Sequence, residues 1–206
     1  PMVAAAVVGS HLASRPVATG DVVALLAAGT RDEGGAEAIA GRLGDASTLL
    51  VIGSGADRTA ARELVLKVEE ASWLPSAMRD LETLLHGHFP AIDGTTGVVM
   101  ILTDRDGRAD RLARSLQALE GLRVLGARVA AIVARDVGKA IPAELTPAGR
   151  LIVDEAESLP PPVAALLGTA TPLQLLTERI ARARGTNPDA IRRDDPTYLA
   201  ASAATE

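Results

Sequence analysis

The chain of 206 residues contains no cysteine. Disulfides, thiolate metal sites and cysteine nucleophiles are therefore excluded. Aromatic residues make up only 1% and reduce to Trp73, Phe89 and Tyr198. The core is left to Ala, Val, Leu and Ile, and stacking platforms for single-stranded nucleic acid are nearly absent. Lysine is as scarce: Lys67 and Lys139 stand against nineteen arginines. No apolar run approaches the roughly 20 residues that cross a bilayer. The apolar segment 1–9 lacks the basic start of a signal peptide. A net charge of −5 and a pI near 5.3 argue against a nucleic-acid backbone as the main partner. A cytoplasmic protein with neither nucleic acid nor membrane as partner is the expectation.

Hydrophobic residues at 48% and charged residues at 23% are ordinary for a globular chain of 21.2 kDa, long enough to bury a sizeable core in one domain. Pattern predicts short helices over Asp21–Ala28 and Ala36–Leu43, then a strand over Ser47–Ile52 ending in Gly53-Ser54-Gly55. A helix follows from Asp57 to Trp73, with Leu64, Leu66, Val68 and Ala71 available for burial, until Pro75 interrupts it. Leu81–Leu85 is a second helical piece before the turn His86-Gly87-His88. Gly97–Leu102 is a continuous apolar run, as a strand covered on both faces requires. Arg108–Leu119 has a leucine face, Arg128–Val133 and Leu151–Val153 are strands, and Val163–Arg184 is a long helix containing Pro172. Thr186 onward is polar, charged and extended. Strand and helix alternate at least three times, which predicts an α/β fold: a parallel sheet flanked by helices on both faces.

Three places hold candidate chemistry. Gly53-Ser54-Gly55, between a strand and a helix, would let a ligand approach backbone N–H groups at the helix start. The third glycine of a dinucleotide fingerprint is missing, and a plain tight turn is the simpler reading. On the next helix Glu63, Lys67 and Glu70 fall at i, i+4 and i+7, hence on one face. That is either a surface salt-bridge ladder or a carboxylate base held beside an ammonium. His86 and His88 flank Gly87 in one turn. A third ligand is not evident nearby, so no metal is expected, and a loop histidine suits proton transfer.

Taken together, these pieces resemble the second sugar isomerase (SIS) domain of the glutamine–fructose-6-phosphate aminotransferases. In that family a strand ends in Gly-x-Gly, a Glu, a Lys and a Glu follow at fixed spacing on the next helix, and a His-Gly-Pro turn comes sixteen residues after the last Glu. Here Gly53 to Glu63 spans ten residues and Glu70 to His86 sixteen. Pro172-Leu173-Gln174-Leu175-Leu176 and Arg184-Gly185-Thr186 resemble the family's last helix and its exit. The similarity runs from about residue 35 to 195 and implies an SIS-type, flavodoxin-like three-layer sandwich. There are departures. His88 replaces the proline of His-Gly-Pro. The family's C-terminal lysine, used for a Schiff base, falls near Pro196, and no lysine follows Lys139. No N-terminal cysteine for glutamine hydrolysis is present. The Ser-x-Ser-Gly-x-Thr phosphate loop of the first SIS domain is absent; Thr103-Asp104-Arg105-Asp106-Gly107 follows the 97–102 strand instead, acidic and unsuited to a phosphate.

The resemblance implies an isomerase-type site for a hexose 6-phosphate or amino-sugar phosphate, working by isomerisation, deamination or deglycation without a cofactor. It makes Glu70 the base between C1 and C2, Lys67 the group that holds substrate hydroxyls, and His86 the assistant in ring opening, reaching into a neighbouring subunit of a homodimer. Gly53, Ser54, Gly55, Glu63 and His88 are its substrate contacts, and Arg192 or Arg193 is a candidate contact where the lysine is missing. Residues 35–186 would form the SIS domain, 1–34 a linker or the tail of a preceding SIS domain, and 187–206 a C-terminal tail over the site. A free-standing single SIS domain is the other arrangement, and a sugar-phosphate-binding domain without turnover is the other function.

Overall fold

The apolar runs assemble into a five-stranded sheet in the computed structural model, which describes residues 8, 9, 11, 14 and 17–205. Most of the N-terminal stretch 1–12 lies outside the described residues. The strands are β1 (Thr48–Gly53), β2 (Ser76–Arg79), β3 (Thr96–Leu102), β4 (Arg128–Ala134) and β5 (Gly149–Val153). All pairs are parallel and the order is β2-β1-β3-β4-β5. Val51 pairs with Val99, which pairs with Ala130, so the central three strands are in register through their most apolar residues.

Helices α1 (Thr19–Ala28), α2 (Glu33–Leu43), α3 (Asp57–Ser72), α4 (Arg108–Val124), α5 (Arg135–Ala140), α6 (Pro161–Ala183) and α7 (Pro196–Ala203) complete the described fold. Side chains alternate across a strand, and the two faces use that alternation. Val51, Val99, Ile101 and Ile132 meet Ile39 and Leu43 of α2, Leu64 and Val68 of α3, and Leu173, Leu176 and Ile180 of α6. Ile52, Val98, Met100 and Val133 meet Leu119 and Leu122 of α4, Val137 of α5 and Leu84 of the 81–91 segment. The result is the three-layer α/β sandwich that the alternation of elements predicts. Val22 and Leu25 of α1 pack on Leu159, Ala164 and Leu167 at the start of α6.

Four differences from the sequence expectations have local causes. β2 is an additional edge strand; Ser-Ala-Met-Arg carries no β-branched residue, so propensity gives no signal. The tail is not wholly extended, because α7 forms behind Asp195, whose carboxylate accepts from the Thr197 amide at 2.9 Å. Leu66 is 48% exposed, since the buried stripe of α3 runs through Ala60, Leu64, Val68 and Ala71. A helical turn follows β4 as α5, which sequence pattern leaves undetected. Pro172 does not end α6: twelve residues of the helix are buried, and that packing outweighs one lost backbone bond. No helix among the described residues is long and apolar enough to cross a membrane.

Candidate functional site

In a parallel sheet of this order, ligands enter where the chain reverses its winding, between the carboxyl ends of β1 and β3. Those ends carry Gly53-Ser54-Gly55 and Thr103–Gly107, and their own side chains stitch the crevice together. Asp57, 1% exposed, accepts from the Thr103 amide at 2.9 Å, the Thr103 hydroxyl at 2.5 Å and the Asp104 amide at 3.1 Å. Burial pushes the Asp57 carboxyl up, while the bonds from Thr103 and Asp104 pull it back. Asp104 in turn accepts from the Ala56 amide at 3.0 Å and pairs with Arg111 at 3.2 Å. The amide that an incoming anion would use at the start of α3 is thus taken by Asp104.

The glycines of this turn answer to packing. A Cβ on Gly53 would lie 2.7 Å from the Asp57 carbonyl oxygen and 2.9 Å from the Ala61 Cβ, so only glycine lets α3 sit this close to β1. Gly55 has φ of 62°, a left-handed conformation that glycine adopts without strain. The Ser54 hydroxyl accepts from the Leu81 amide at 3.0 Å. Gly53 and Gly55 are thus set by packing and backbone conformation, and the Ser54 hydroxyl is already engaged.

Farther along α3, Glu63, Lys67 and Glu70 lie half-buried on the flank beside the buried stripe. Lys67 Nζ is 2.8 Å from Glu70 Oε2. The bond to Glu70, and the attraction of Glu70 and Glu63, hold the Lys67 ammonium above its usual range. The Glu70 carboxylate faces a cavity of about 390 Å³ that Trp73, Ile191, Arg192 and Tyr198 also line. Trp73 ends α3 in a left-handed conformation, φ 56°, which turns its ring toward the returning tail. Arg192 lies over that ring at 4.6 Å and over the Tyr198 ring at 3.8 Å. Of the chain's three aromatics, two frame this one guanidinium.

His86 is set apart from this group. The segment after β2 is a helical turn, Leu81–Thr83, a wider turn, Leu84–His88, and a tight one, Phe89–Ala91. The wide turn presents an exposed His86 whose Nε2 is 3.3 Å from Glu82 Oε2. Arg114 clamps the same Glu82 with two bonds of 2.7 and 2.6 Å, which hold that carboxyl below its usual range. His88 turns the other way: its Nδ1 accepts from Arg79 Nε at 3.3 Å, beside a second cavity of about 300 Å³ next to Leu50 and Ile92. The structure brings Glu70 and Arg192 to one cavity, with Lys67 paired to Glu70 behind it and Glu63 farther back on α3, and within one chain leaves His86, His88 and the 53–55 turn outside it. Glu82, Arg114, Trp73 and Tyr198 are the neighbours that sequence reasoning missed; the rarity of aromatics was the one signal that could have marked the last two. Among the described residues no three His, Asp or Glu side chains converge as a metal site requires.

No family model matches the chain. A glutamine–fructose-6-phosphate aminotransferase (isomerizing) from Chlorobaculum tepidum is 31% identical over 173 residues, which are 82% of this chain and 25% of that protein. The C-terminal domain of glucosamine-fructose-6-phosphate aminotransferase from Francisella tularensis has the same fold with a TM-score of 0.70 at 20% identity, covering 82% of this chain and 44% of that one. Tagatose-6-phosphate ketose/aldose isomerase from Escherichia coli follows with a TM-score of 0.54 at 24% identity over 70% of this chain and 38% of that one. The chain thus spans a quarter of the length of the curated relative and under half of each of these solved chains.

Proposed function

We propose that this chain, a phosphosugar isomerase-like SIS domain similar to the C-terminal domain of the fructose-6-phosphate aminotransferases, supplies the proton-transferring wall of an aldose–ketose isomerase site for a hexose 6-phosphate. The observation that carries the proposal is the Glu70 carboxylate, held 2.8 Å from the Lys67 ammonium on the wall of a sugar-sized cavity. A carboxylate within reach of the substrate carbon is a competent general base. Glu70 takes a proton from C1 of the open-chain ketose. The released electron pair forms the C1=C2 bond, and the former C2 carbonyl oxygen gains a proton to give the enediol. Return of a proton to C2 and loss of the O1 proton yield the aldose. Lys67, 2.8 Å from Glu70, is the cation available to the oxygen that gathers charge in this step. Enolisation needs no amine transfer, which agrees with the absence of any lysine after Lys139.

On this reading residues 35–186 form the SIS lobe, 187–206 are the tail that borders the cavity, and 1–34 link to a preceding lobe. The Ala56 amide occupied by Asp104 favours a substrate phosphate held elsewhere than the β1–β3 crevice. In this proposal His86, exposed on its wide turn, serves a companion subunit in a cytoplasmic homodimer. The test is the rate of fructose 6-phosphate to glucose 6-phosphate interconversion by the purified protein. Glu70→Gln lowers kcat/KM by about a hundred- to ten-thousandfold, while Glu120→Gln, on an exposed face of α4, leaves it unchanged. Equal rates for wild type and Glu70→Gln would remove the catalytic assignment.

The separation of His86 from Glu70 favours one second reading, a domain that binds a sugar phosphate and turns nothing over. In that case fructose 6-phosphate raises the melting temperature with no product formed.

A further inference from the structure

The tail beyond α6 returns to the end of α3 through a backbone that only a firm anchor sustains. Ile191 and Arg192 both adopt left-handed conformations, with φ of 44° and 59°, unfavourable for side chains of this size. Their effect is to insert the Arg192 guanidinium between the Trp73 and Tyr198 rings. Stacking holds the plane of a guanidinium and leaves its edge N–H groups free to donate.

Those donors have no partner among the described residues: Arg192 makes neither a hydrogen bond nor an ion pair with them. The cavity's other charges are engaged. Glu70 is paired with Lys67, and Glu69 accepts from the Ser76 amide at 3.1 Å. Arg192 is therefore the cation on this wall left without a counter-charge. The cavity of about 390 Å³ lies within the range of small-ligand sites, and a ring-framed arginine with an adjacent carboxylate suits a ligand that is part anion and part polyol.

We infer that Arg192 is the anion-binding residue of this cavity, its guanidinium fixed between Trp73 and Tyr198 so that its edge takes the phosphate of a sugar phosphate whose carbon chain lies toward Glu70. The sugar part rests on the function proposed above; the anion part does not. A guanidinium edge meets two phosphate oxygens at once, which a lysine in the same place would not do.

Trp73 is the sole tryptophan, so its emission reports directly on the stacked group. Fructose 6-phosphate, inorganic phosphate and fructose are titrated into the full-length protein, with calorimetry as a second readout. The inference predicts saturable binding of the first two and none of fructose. Arg192→Ala weakens fructose 6-phosphate binding by about ten- to a hundredfold, the range of a charge-assisted contact, and Arg192→Lys restores part of it. Glu70→Gln keeps the Arg192-dependent binding even where turnover is lost. Wild-type protein that binds neither phosphate probe, or Arg192→Ala protein that binds fructose 6-phosphate as tightly as wild type, overturns the inference. Isomerisation with unchanged KM in Arg192→Ala would do the same and leave the Glu70 assignment standing. Arg192-dependent phosphate binding without isomerisation would support the inference and refute that assignment.

Discussion

Asp57 and Lys67 sit nearly three turns apart on α3 and illustrate two different uses of charge. Asp57 is fully enclosed and ties the β1 and β3 loops together through Thr103 and Asp104. Replacing it with Asn leaves one acceptor oxygen facing three donors. The expected loss is about 1–3 kcal/mol of stability, measured by urea unfolding. Burial raises the Asp57 carboxyl above its ordinary value. Between the ordinary value and the raised one the folded state binds a proton that the unfolded chain does not. This residue's contribution to stability therefore increases as pH falls through that window, and Asp57→Asn removes the increment. Lys67 and Glu70 are about a third exposed, so their pair adds at most about 1 kcal/mol to stability. Lys67→Met should unfold at nearly the wild-type urea concentration and yet lose about a hundredfold or more in isomerase turnover. A variant that lost both in proportion would make Lys67 a structural residue.

At the scale of elements, the turn after β1 is set by contact rather than by ligand chemistry. Gly53→Ala drives a methyl group into the Asp57 carbonyl and Ala61. Overpacking of this kind costs about 1–3 kcal/mol, and the midpoint of thermal unfolding is the readout. If the variant is as stable as wild type, β1 and α3 are farther apart than described. The segment after β2 offers a second check. With Glu82 clamped by Arg114, Arg114→Ala should raise the pH at which the Glu82 carboxyl titrates by nuclear magnetic resonance; an unchanged titration would dissolve the pair. β1, β3 and β4 were legible because β-branched runs bounded by turns leave few alternatives, and α3, α4 and α6 because their leucine and alanine faces keep helical spacing. β2 and α7 were not. One is four residues of weak propensity fixed by pairing to β1, and the other is an eight-residue helix that Asp195 caps.

For the whole molecule, the proposed catalytic wall was legible only through family spacing. Glu63, Lys67 and Glu70 at helical intervals fit a surface ladder equally well, and of the three only Glu70 borders the cavity. Trp73, Arg192 and Tyr198 are brought together across more than a hundred residues, which no local pattern encodes. The same holds for Asp104, whose sequence context marks it as acidic but not as the occupant of the Ala56 amide. On the proposed function, a sheet whose usual entrance is stitched by its own carboxylates, with the paired Glu70 and Lys67 on an outer flank, completes its site together with another lobe or subunit.

Hydrogen exchange at carbon tests that conclusion without depending on which sugar is the natural one. Fructose 6-phosphate is incubated with the full-length protein in deuterium oxide, and the recovered hexose phosphates are examined by nuclear magnetic resonance. Deuterium at C1 of the ketose or C2 of the aldose with wild type, and none above background with Glu70→Gln, is the predicted result. Exchange at equal rates in both proteins, or none in wild type that demonstrably binds the sugar phosphate, would contradict the assignment of Glu70 as the base.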